Sequence, residues 1–207
     1  MKVVLINGSP HQHGCTYTAL AETAKTLESE GIETEIFWIK SKPISGCLGC
    51  GKCSSLNKRC AIDDVVNEFL AIAENADGFI IGSPVHYSAA GGAITSFLDR
   101  TFYSGGSLFR LKPGAAIVVA RRAGTTAALD QLNKYFAITQ MPMITSYYWN
   151  NLHGTKPEDV VKDEEGMCVI RTLSRNMAWF LKCKDAGEKA GISMPEIEKK
   201  INTNFIR

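Results

Sequence analysis

Residues 3–10 read VVLINGSP, and this stretch decides the class of fold. Val3 to Ile6 are all apolar and mostly β-branched, and they run directly into Asn, Gly, Ser and Pro, which favour turns. A short apolar run without alternation is typical of a strand buried on both faces of a parallel sheet. Leu20, Ala24 and Leu27 then recur at helical spacing, and Gly31 ends the predicted helix. The first unit is therefore strand, turn and helix.

The same order of elements repeats along the chain. We predict further strands at residues 32–39, 78–82, 115–120 and 143–149. The helices between and after them are predicted at residues 62–73, 94–101, 125–136 and 164–182. Such alternation produces right-handed βαβ units and an α/β fold of three layers, with a five-stranded parallel sheet between helices. We expect one domain over residues 1–184, with a cysteine-rich insertion at about 41–61 and a C-terminal extension over 185–207.

Composition and charge exclude several classes of protein. The 207 residues include 23 Lys and Arg against 21 Asp and Glu, a net charge of +2, so we expect neither nucleic acid nor a membrane surface as a partner. The run at 115–120 is too short to cross a bilayer, and the first residues lack a signal-peptide core. The seven cysteines are an odd number in a chain that can bury a core without disulfides. They indicate a reducing, cytoplasmic location.

Three loops follow predicted strands, at the sheet edge where open α/β folds bind ligands. Residues 7–18 are rich in hydroxyls and lead into a helix, whose N-terminus favours an anion such as a phosphate monoester. The glycine spacing fits neither a dinucleotide fingerprint nor an NTPase phosphate loop. The alternative is an ordinary turn with an N-cap.

The second and third loops could enclose a flat ring. Residues 83–92 combine an aromatic side chain with small residues and accessible backbone, which suits the edge of a heteroaromatic ring. In the alternative interpretation, Tyr87 is a core residue and His86 a surface histidine. Residues 121–126 could close the other side of the ring, but their arginines could equally be a solvated strand end.

The cysteine pattern is the sharpest local signal. Cys47, Cys50, Cys53 and Cys60 are separated by two, two and six residues. Two intervening residues let successive thiolates turn towards one centre, and three nearby glycines ease that path. This resembles [4Fe–4S] ligation, although the fourth spacing differs from that of bacterial ferredoxins. Structural zinc and a metal-free thiol loop are the alternatives.

Two further cysteines follow a different pattern. Cys168 and Cys183 lie in or near the apolar stripe of the last predicted helix. Free cysteine behaves as a small hydrophobic residue. We therefore predict that both are core residues rather than metal ligands.

Four motifs in a fixed order carry a resemblance to a known family. They are GSPHQHGCT at 8–16, CLGCGKC at 47–53, DGFIIGSPVHYSAAGGAITSFLDR at 77–100 and ARRAG at 120–124. Together they resemble the flavodoxin-like NAD(P)H-dependent FMN reductase superfamily, and within it the iron–sulfur flavoprotein branch. The resemblance covers about residues 1–150. It implies a strand order of 2-1-3-4-5 and FMN bound by the three loops.

The resemblance also implies roles for individual residues. Those expected to hold the FMN phosphate are Ser9, Thr16, Tyr17 and Thr18, with His11 where the family has a basic residue and Cys15 where it commonly has Asn. Those expected to flank the isoalloxazine ring are Pro84, Val85, His86 and Tyr87, and those expected to shape the pocket are Gly91 and Gly124. Arg121, in the third loop, is the candidate on the other side of the ring. His86 stands where the family commonly has Tyr. The four clustered cysteines, Cys47, Cys50, Cys53 and Cys60, are the expected metal ligands.

These residues indicate an FMN-dependent oxidoreductase that takes electrons from NAD(P)H and passes them to a small acceptor such as a flavin or quinone. The alternative is an electron carrier that moves single electrons between a [4Fe–4S] cluster and FMN, with redox proteins as partners. A zinc-stiffened binding module is a third possibility. Because the flavin supplies the chemistry, we predict no conventional catalytic side chain. The resemblance implies a homodimer or homotetramer, with the aromatic residues at 147–149 as candidate interface residues.

Overall fold

Strands and helices alternate through residues 1–199 and 201–203, the part of the chain that the computed structural model describes. The strands are β1 (Lys2–Asn7), β2 (Glu33–Trp38), β3 (Gly78–His86), β4 (Ala89–Ala90), β5 (Gly114–Ala120) and β6 (Asn151–His153). The helices are α1 (Cys15–Ser29), α2 (Val65–Ala73), α3 (Gly92–Gly105), α4 (Thr125–Ile138), α5 (Pro157–Val160) and α6 (Glu164–Lys189). Short 3₁₀ turns lie at Lys52–Ser54 and Gly106–Leu108.

The sheet confirms the predicted topology. Its order is β2-β1-β3-β5-β6, with all of these neighbours parallel. Without the two-residue β4, this is the predicted 2-1-3-4-5 order of a flavodoxin-like fold. The additional strand β4 pairs antiparallel with the end of β3. Strand β3 continues four residues beyond the predicted end at 82: Ser83 and Pro84 still pair with β5, and Val85 and His86 form a hairpin with β4.

Strand β1 shows why the opening apolar run is decisive. Val4 and Ile6 pack in the core layer beneath α2, α3 and α4, whereas Val3 and Leu5 pack in the layer beneath α1 and α6. Successive side chains of a strand point to opposite faces, so both faces of β1 must be apolar. Each such side chain contributes about 1.5–3 kcal/mol on burial.

The predicted fifth strand is wrong in its position. Met143 makes a single bridge to Gly114 at the start of β5, and the chain then leaves the sheet. It returns only at β6, and the aromatic residues at 147–149 are exposed on the loop between. Aromatic residues favour strands chiefly because they pack on a half-buried sheet surface, and this segment has no such surface to cover.

Helix α6 differs from prediction in length and in its buried face. It runs to Lys189, beyond the predicted end at 182 and across residue 185, where the extension was expected to begin. Cys168 and Cys183 are exposed, so their assignment to the core is wrong. Met167 and Ile170 occupy the buried face instead, which leaves the cysteines beside the stripe. Within the described residues, α6 and the other helices all lack the combination of length and apolarity needed to span a membrane.

Candidate functional site

The loops after β1, β3 and β5 meet at the carboxyl edge of the sheet. The backbone N–H of Gly8 donates to the carbonyl of Gly82 at 2.9 Å, which joins the first loop to β3. Gly124 lies against the second loop so closely that a Cβ atom there would be 2.7 Å from Cα of Ser88. The three segments that were expected to form one site are therefore neighbours.

The first loop presents an open helix N-terminus. Gly14 is the N-cap of α1, and no side chain among the described residues caps it. The Ser9 hydroxyl accepts from the N–H of His11 at 3.1 Å, and the Thr18 hydroxyl donates to the Gly14 carbonyl at 3.2 Å. Thr16 is buried. The predicted hydroxyls thus shape the loop, while the first-turn N–H groups and the helix dipole favour an anion.

Cys15 and His13, on either side of the N-cap Gly14, both contact other residues of the protein. The Cys15 thiol is half-buried and faces the carbonyl of Gly154 at 3.9 Å. Burial raises the pKa of the Cys15 thiol, so it stays protonated. The exposed ring of His13 meets the ring of Tyr17 edge-on, with centroids 4.8 Å apart. His11 is exposed at the rim of the loop.

The second loop is a tight and strained turn. His86 pairs with Ala89, so only Tyr87 and Ser88 connect β3 to β4. Both connecting residues have positive φ, 50° and 60°, as in a type I′ turn, which favours Asn and Gly. Tyr87 is fully exposed, so its assignment to the core in the alternative interpretation is wrong. Strain of this kind persists where the surrounding structure imposes it, often at ligand-binding loops.

Around this turn, several of the predicted ring-side residues line the same edge. Pro84 and Val85 are half-buried, and His86 is exposed. The N–H of Gly91 donates to the Ser83 hydroxyl at 3.2 Å, and a Cβ at Gly91 would lie 3.8 Å from Nδ1 of His86. Arg121 is exposed just after β5. Gly124, the N-cap of α4, has a φ of 88°.

The four predicted metal ligands surround one cavity. Cys47, Cys50, Cys53 and Cys60 all line a space of about 220 Å³ between the cysteine loop and α3. The loop can turn there because Gly49 and Gly51 adopt positive φ values of 61° and 66°.

The lining of the cavity suits a group that is bound by sulfur. Its charged lining residues are Lys52 and Arg100, and the charge of Arg100 is paired with Asp64. No three His, Cys or acidic side chains of the described residues converge closely enough to hold a single ion. In a [4Fe–4S] cluster each thiolate ligates a different iron, so the sulfurs are spread around the group. The donor set fits such a cluster.

Arg100 is a part of this site that sequence reasoning missed. Its side chain is only 1% exposed, and it makes two bonds to the Asp64 carboxylate, at 2.7 and 2.9 Å. Its Nε–H also donates to Sγ of Cys60 at 3.3 Å. The available signal was an arginine among the apolar residues of α3, one turn after the fully buried Phe97.

Asn67 holds the backbone of the fourth cysteine. Its Oδ1 accepts from the N–H of Cys60 at 2.9 Å, and its Nδ2 donates to the Cys60 carbonyl at 3.0 Å. Helix α2 begins at Val65 with Asp64 as its N-cap, so the predicted start at residue 62 is wrong. Residues 62 and 63 instead belong to the loop that carries Cys60.

Comparison with known proteins decides the family. Residues 1–156 match the model of a family described as NADPH-dependent FMN reductase. The chain belongs to this family. Its predicted identity as an FMN-dependent, NAD(P)H-dependent oxidoreductase is therefore confirmed at the level of the family. The individual cofactor-binding residues stay predictions.

Two relatives and one solved structure are similar to this chain over most of its length. An iron–sulfur flavoprotein of Methanocaldococcus jannaschii is 32% identical over 190 residues, which cover 88% of this chain and 98% of the relative. An iron–sulfur flavoprotein of Archaeoglobus fulgidus is 29% identical, over 86% of this chain and 96% of the relative. The solved NAD(P)H:quinone oxidoreductase from Methanothermobacter marburgensis shares the fold, with a TM-score of 0.65 at 16% identity, over 86% of this chain and 96% of that one.

Proposed function

We propose that this FMN reductase-family protein is an iron–sulfur flavoprotein that moves electrons between a reduced donor and a small acceptor. FMN occupies the carboxyl edge of the sheet, and a [4Fe–4S] cluster occupies the cysteine cavity. The observation that carries the proposal is the placement of all four loop cysteines around one cavity. The names of the relatives that match most of this chain support it.

FMN supplies hydride and single-electron transfer when bound. The chain's own part is to bind and orient it. The open start of α1 receives the phosphate, and the predicted hydroxyls keep that loop in shape. The Tyr87–Ser88 turn and the close contact of Gly124 with Ser88 define the ring side of the pocket. His86 and Tyr87 are exposed beside the ring position and control access to it.

The cluster supplies single-electron transfer when bound. Cys47, Cys50, Cys53 and Cys60 are its ligands, and Lys52 offsets part of its negative charge. The exposure of Cys47 and Cys50 leaves the cavity open to a redox protein, and also to oxygen. Along α3, Arg100 lies about 12 Å from the helix start beside the flavin loops, so both sites share one rigid helix.

A second candidate is a reductase without a cluster, in which NAD(P)H reduces the flavin directly. The family description, which names NADPH and FMN but no iron, favours it. In that case the cysteine loop would be a surface thiol site. An anaerobic titration with NADH or NADPH alone tests this candidate. Complete bleaching of the flavin in protein without iron supports it.

The deciding experiment is the assay of iron, acid-labile sulfide and FMN in protein purified without oxygen. We expect about four irons per chain for one [4Fe–4S] cluster, together with bound flavin. Cys53→Ser should lose the iron and keep FMN. Cys168→Ser, which removes an exposed cysteine on α6, should keep both and serves as the matched control. Flavin without iron in the unmodified protein would contradict the cluster, and absence of both would contradict FMN binding as well.

A further inference from the structure

The guanidinium of Arg100 uses all three of its nitrogen atoms. Nη1 donates to Asp64 Oδ2 at 2.7 Å and to the Ser45 carbonyl at 3.4 Å. Nη2 donates to Asp64 Oδ1 at 2.9 Å and to the Ile62 carbonyl at 3.0 Å. Nε donates to Sγ of Cys60 at 3.3 Å. These contacts use the full fork of five N–H groups that an arginine offers.

These contacts close the cysteine loop at its base. Ser45 precedes the first cysteine of the loop by two residues, and Ile62 follows the last by two. One guanidinium therefore holds both ends of the segment that carries the ligands. A buried charge is costly unless it is paired and hydrogen-bonded, and Asp64 supplies the pair. Lysine has a single charged nitrogen and cannot reproduce this arrangement.

We infer that Arg100 is a positioning residue that raises the reduction potential of the iron–sulfur cluster by donating a hydrogen bond to the Cys60 sulfur. The inference rests on the proposed cluster. Reduction adds negative charge to the cluster and its sulfurs. A hydrogen bond to a ligand sulfur stabilises that charge and so favours the reduced state. Because Arg100 is buried, water cannot replace the lost donor easily.

The test is a spectroscopic redox titration of the holoprotein. Arg100→Lys keeps a positive charge but removes the Nε–H donor, so the cluster's midpoint potential should move to more negative values. The FMN potentials of the same sample should not move, which provides an internal reference. Asn67→Ala is the matched control, because it releases the Cys60 backbone and leaves the sulfur donor in place. It should lower iron content without moving the potential of the clusters that remain.

Several results would overturn the inference. An unchanged cluster potential in Arg100→Lys would do so, and so would an equal shift in Asn67→Ala, since that would mean general loosening of the loop. If Arg100→Lys does not retain iron, the double variant Arg100→Met/Asp64→Asn removes the buried ion pair as a unit and keeps a capping residue for α2. A more negative cluster potential in the double variant supports the inference. An unchanged potential there, or loss of iron from both Arg100 variants, overturns it.

Different measurements test the presence of the proposed cluster and the role of Arg100. If the unmodified protein holds no iron, the proposed function fails, and the inference fails with it before any variant is made. If the unmodified protein holds the cluster, the iron content and the cluster potential of the Arg100 variants decide the inference.

Discussion

At the residue scale, the backbone conformation of Gly124 lets two loops of the candidate flavin site lie in close contact. Gly124 has a φ of 88°, and a Cβ there would lie 2.7 Å from Cα of Ser88. Any other residue would be strained and would push the two loops apart. Gly31 also has positive φ, at 80°, but a Cβ there meets nothing within 4 Å. Comparing substitutions at Gly124 and Gly31 therefore separates the effect of backbone strain from the effect of disturbing the close contact with Ser88.

We expect Gly124→Ala to weaken FMN binding at least about tenfold, which corresponds to about 1.4 kcal/mol. Gly31→Ala should lower the free energy of unfolding by about 1 kcal/mol through backbone strain alone, with unchanged FMN affinity. Flavin fluorescence quenching and chemical denaturation measure the two quantities. Equal FMN affinity in both variants would show that the contact with Ser88 does not shape the flavin pocket.

Tyr135 gives a prediction about pH. Its hydroxyl donates to the Asp99 carboxylate, which joins α4 to α3. Burial, and then the neighbouring Asp99, raise the pKa of Tyr135 far above its ordinary value. Above pH 10 the unfolded chain releases this proton and the folded chain keeps it, so the contribution of Tyr135 to stability falls as pH rises.

Phenolate absorbance measures this effect directly. We expect the folded protein and its Tyr135→Phe variant to gain the same phenolate absorbance in an alkaline titration up to the onset of unfolding. A gain smaller by one tyrosine in Tyr135→Phe would contradict the raised pKa.

At the element scale, helix α3 connects the two candidate sites. It starts at Gly92, directly after the β3–β4 hairpin, and presents Arg100, Tyr103 and Ser104 to the cysteine cavity. Tyr103 and Ser104 follow Arg100 by three and four residues, so both lie on the same helical face as Arg100. The same element therefore sets the position of the flavin loop and of the proposed cluster.

At the turn of the β3–β4 hairpin, we expect substitutions that increase the stability of the apoprotein to weaken FMN binding. Tyr87→Asn/Ser88→Gly installs the residues that a type I′ turn prefers, and no buried side chain is lost because Tyr87 is fully exposed. We expect the apoprotein to become more stable by about 1 kcal/mol, while FMN binds more weakly. Thermal unfolding of the apoprotein and flavin titration provide the two readouts. Higher stability with unchanged affinity would mean that the strain has no role in binding.

At the scale of the whole molecule, residues after α6 return to the cysteine cavity. Arg110 donates to the carbonyl of Pro195 at 2.9 Å. Ile197 lines a groove of about 710 Å³ that also includes Cys47 and Tyr103. The segment therefore lies beside Cys47, one of the exposed cysteines of the proposed cluster site.

Truncation after Gly191 should accelerate loss of the cluster in air. The expected result is faster decay of the visible iron–sulfur absorbance than in the full chain, at equal FMN content. Arg110→Ala, which removes the contact to Pro195, should show a smaller effect in the same direction. Equal decay rates in all three proteins would mean that the segment does not shield the cavity.

The candidate interface of the predicted homodimer or homotetramer is a group of exposed aromatic residues. Tyr147, Tyr148 and Trp149 are exposed together on the loop before β6, and aromatic residues are enriched at protein interfaces. We expect light scattering to report an oligomer for the unmodified protein and a lower mass for Trp149→Ser. A monomer in both cases would contradict the prediction.

Much of the fold could be predicted from the sequence, because it depends on local patterns. The all-apolar run of β1 requires burial on both faces, and the alternation of strands with helices allows few topologies. The positions of the loops that form the candidate site then follow from the parallel order of the strands. The clustering of four cysteines within one short loop was evident from their spacing.

Other features depend on which segments meet in three dimensions. The loop at 147–149 has strand-forming residues, but no sheet surface lies beneath it, and Cys168 lies beside the apolar stripe of α6 rather than within it. Arg100 contacts Cys60 across 40 residues of sequence, and its partner Asp64 is 36 residues away. Periodicity and spacing describe neighbours along the chain. Packing between distant segments set the burial of Arg100 and its long-range hydrogen-bond partners, and so decided how the cysteine cavity is closed.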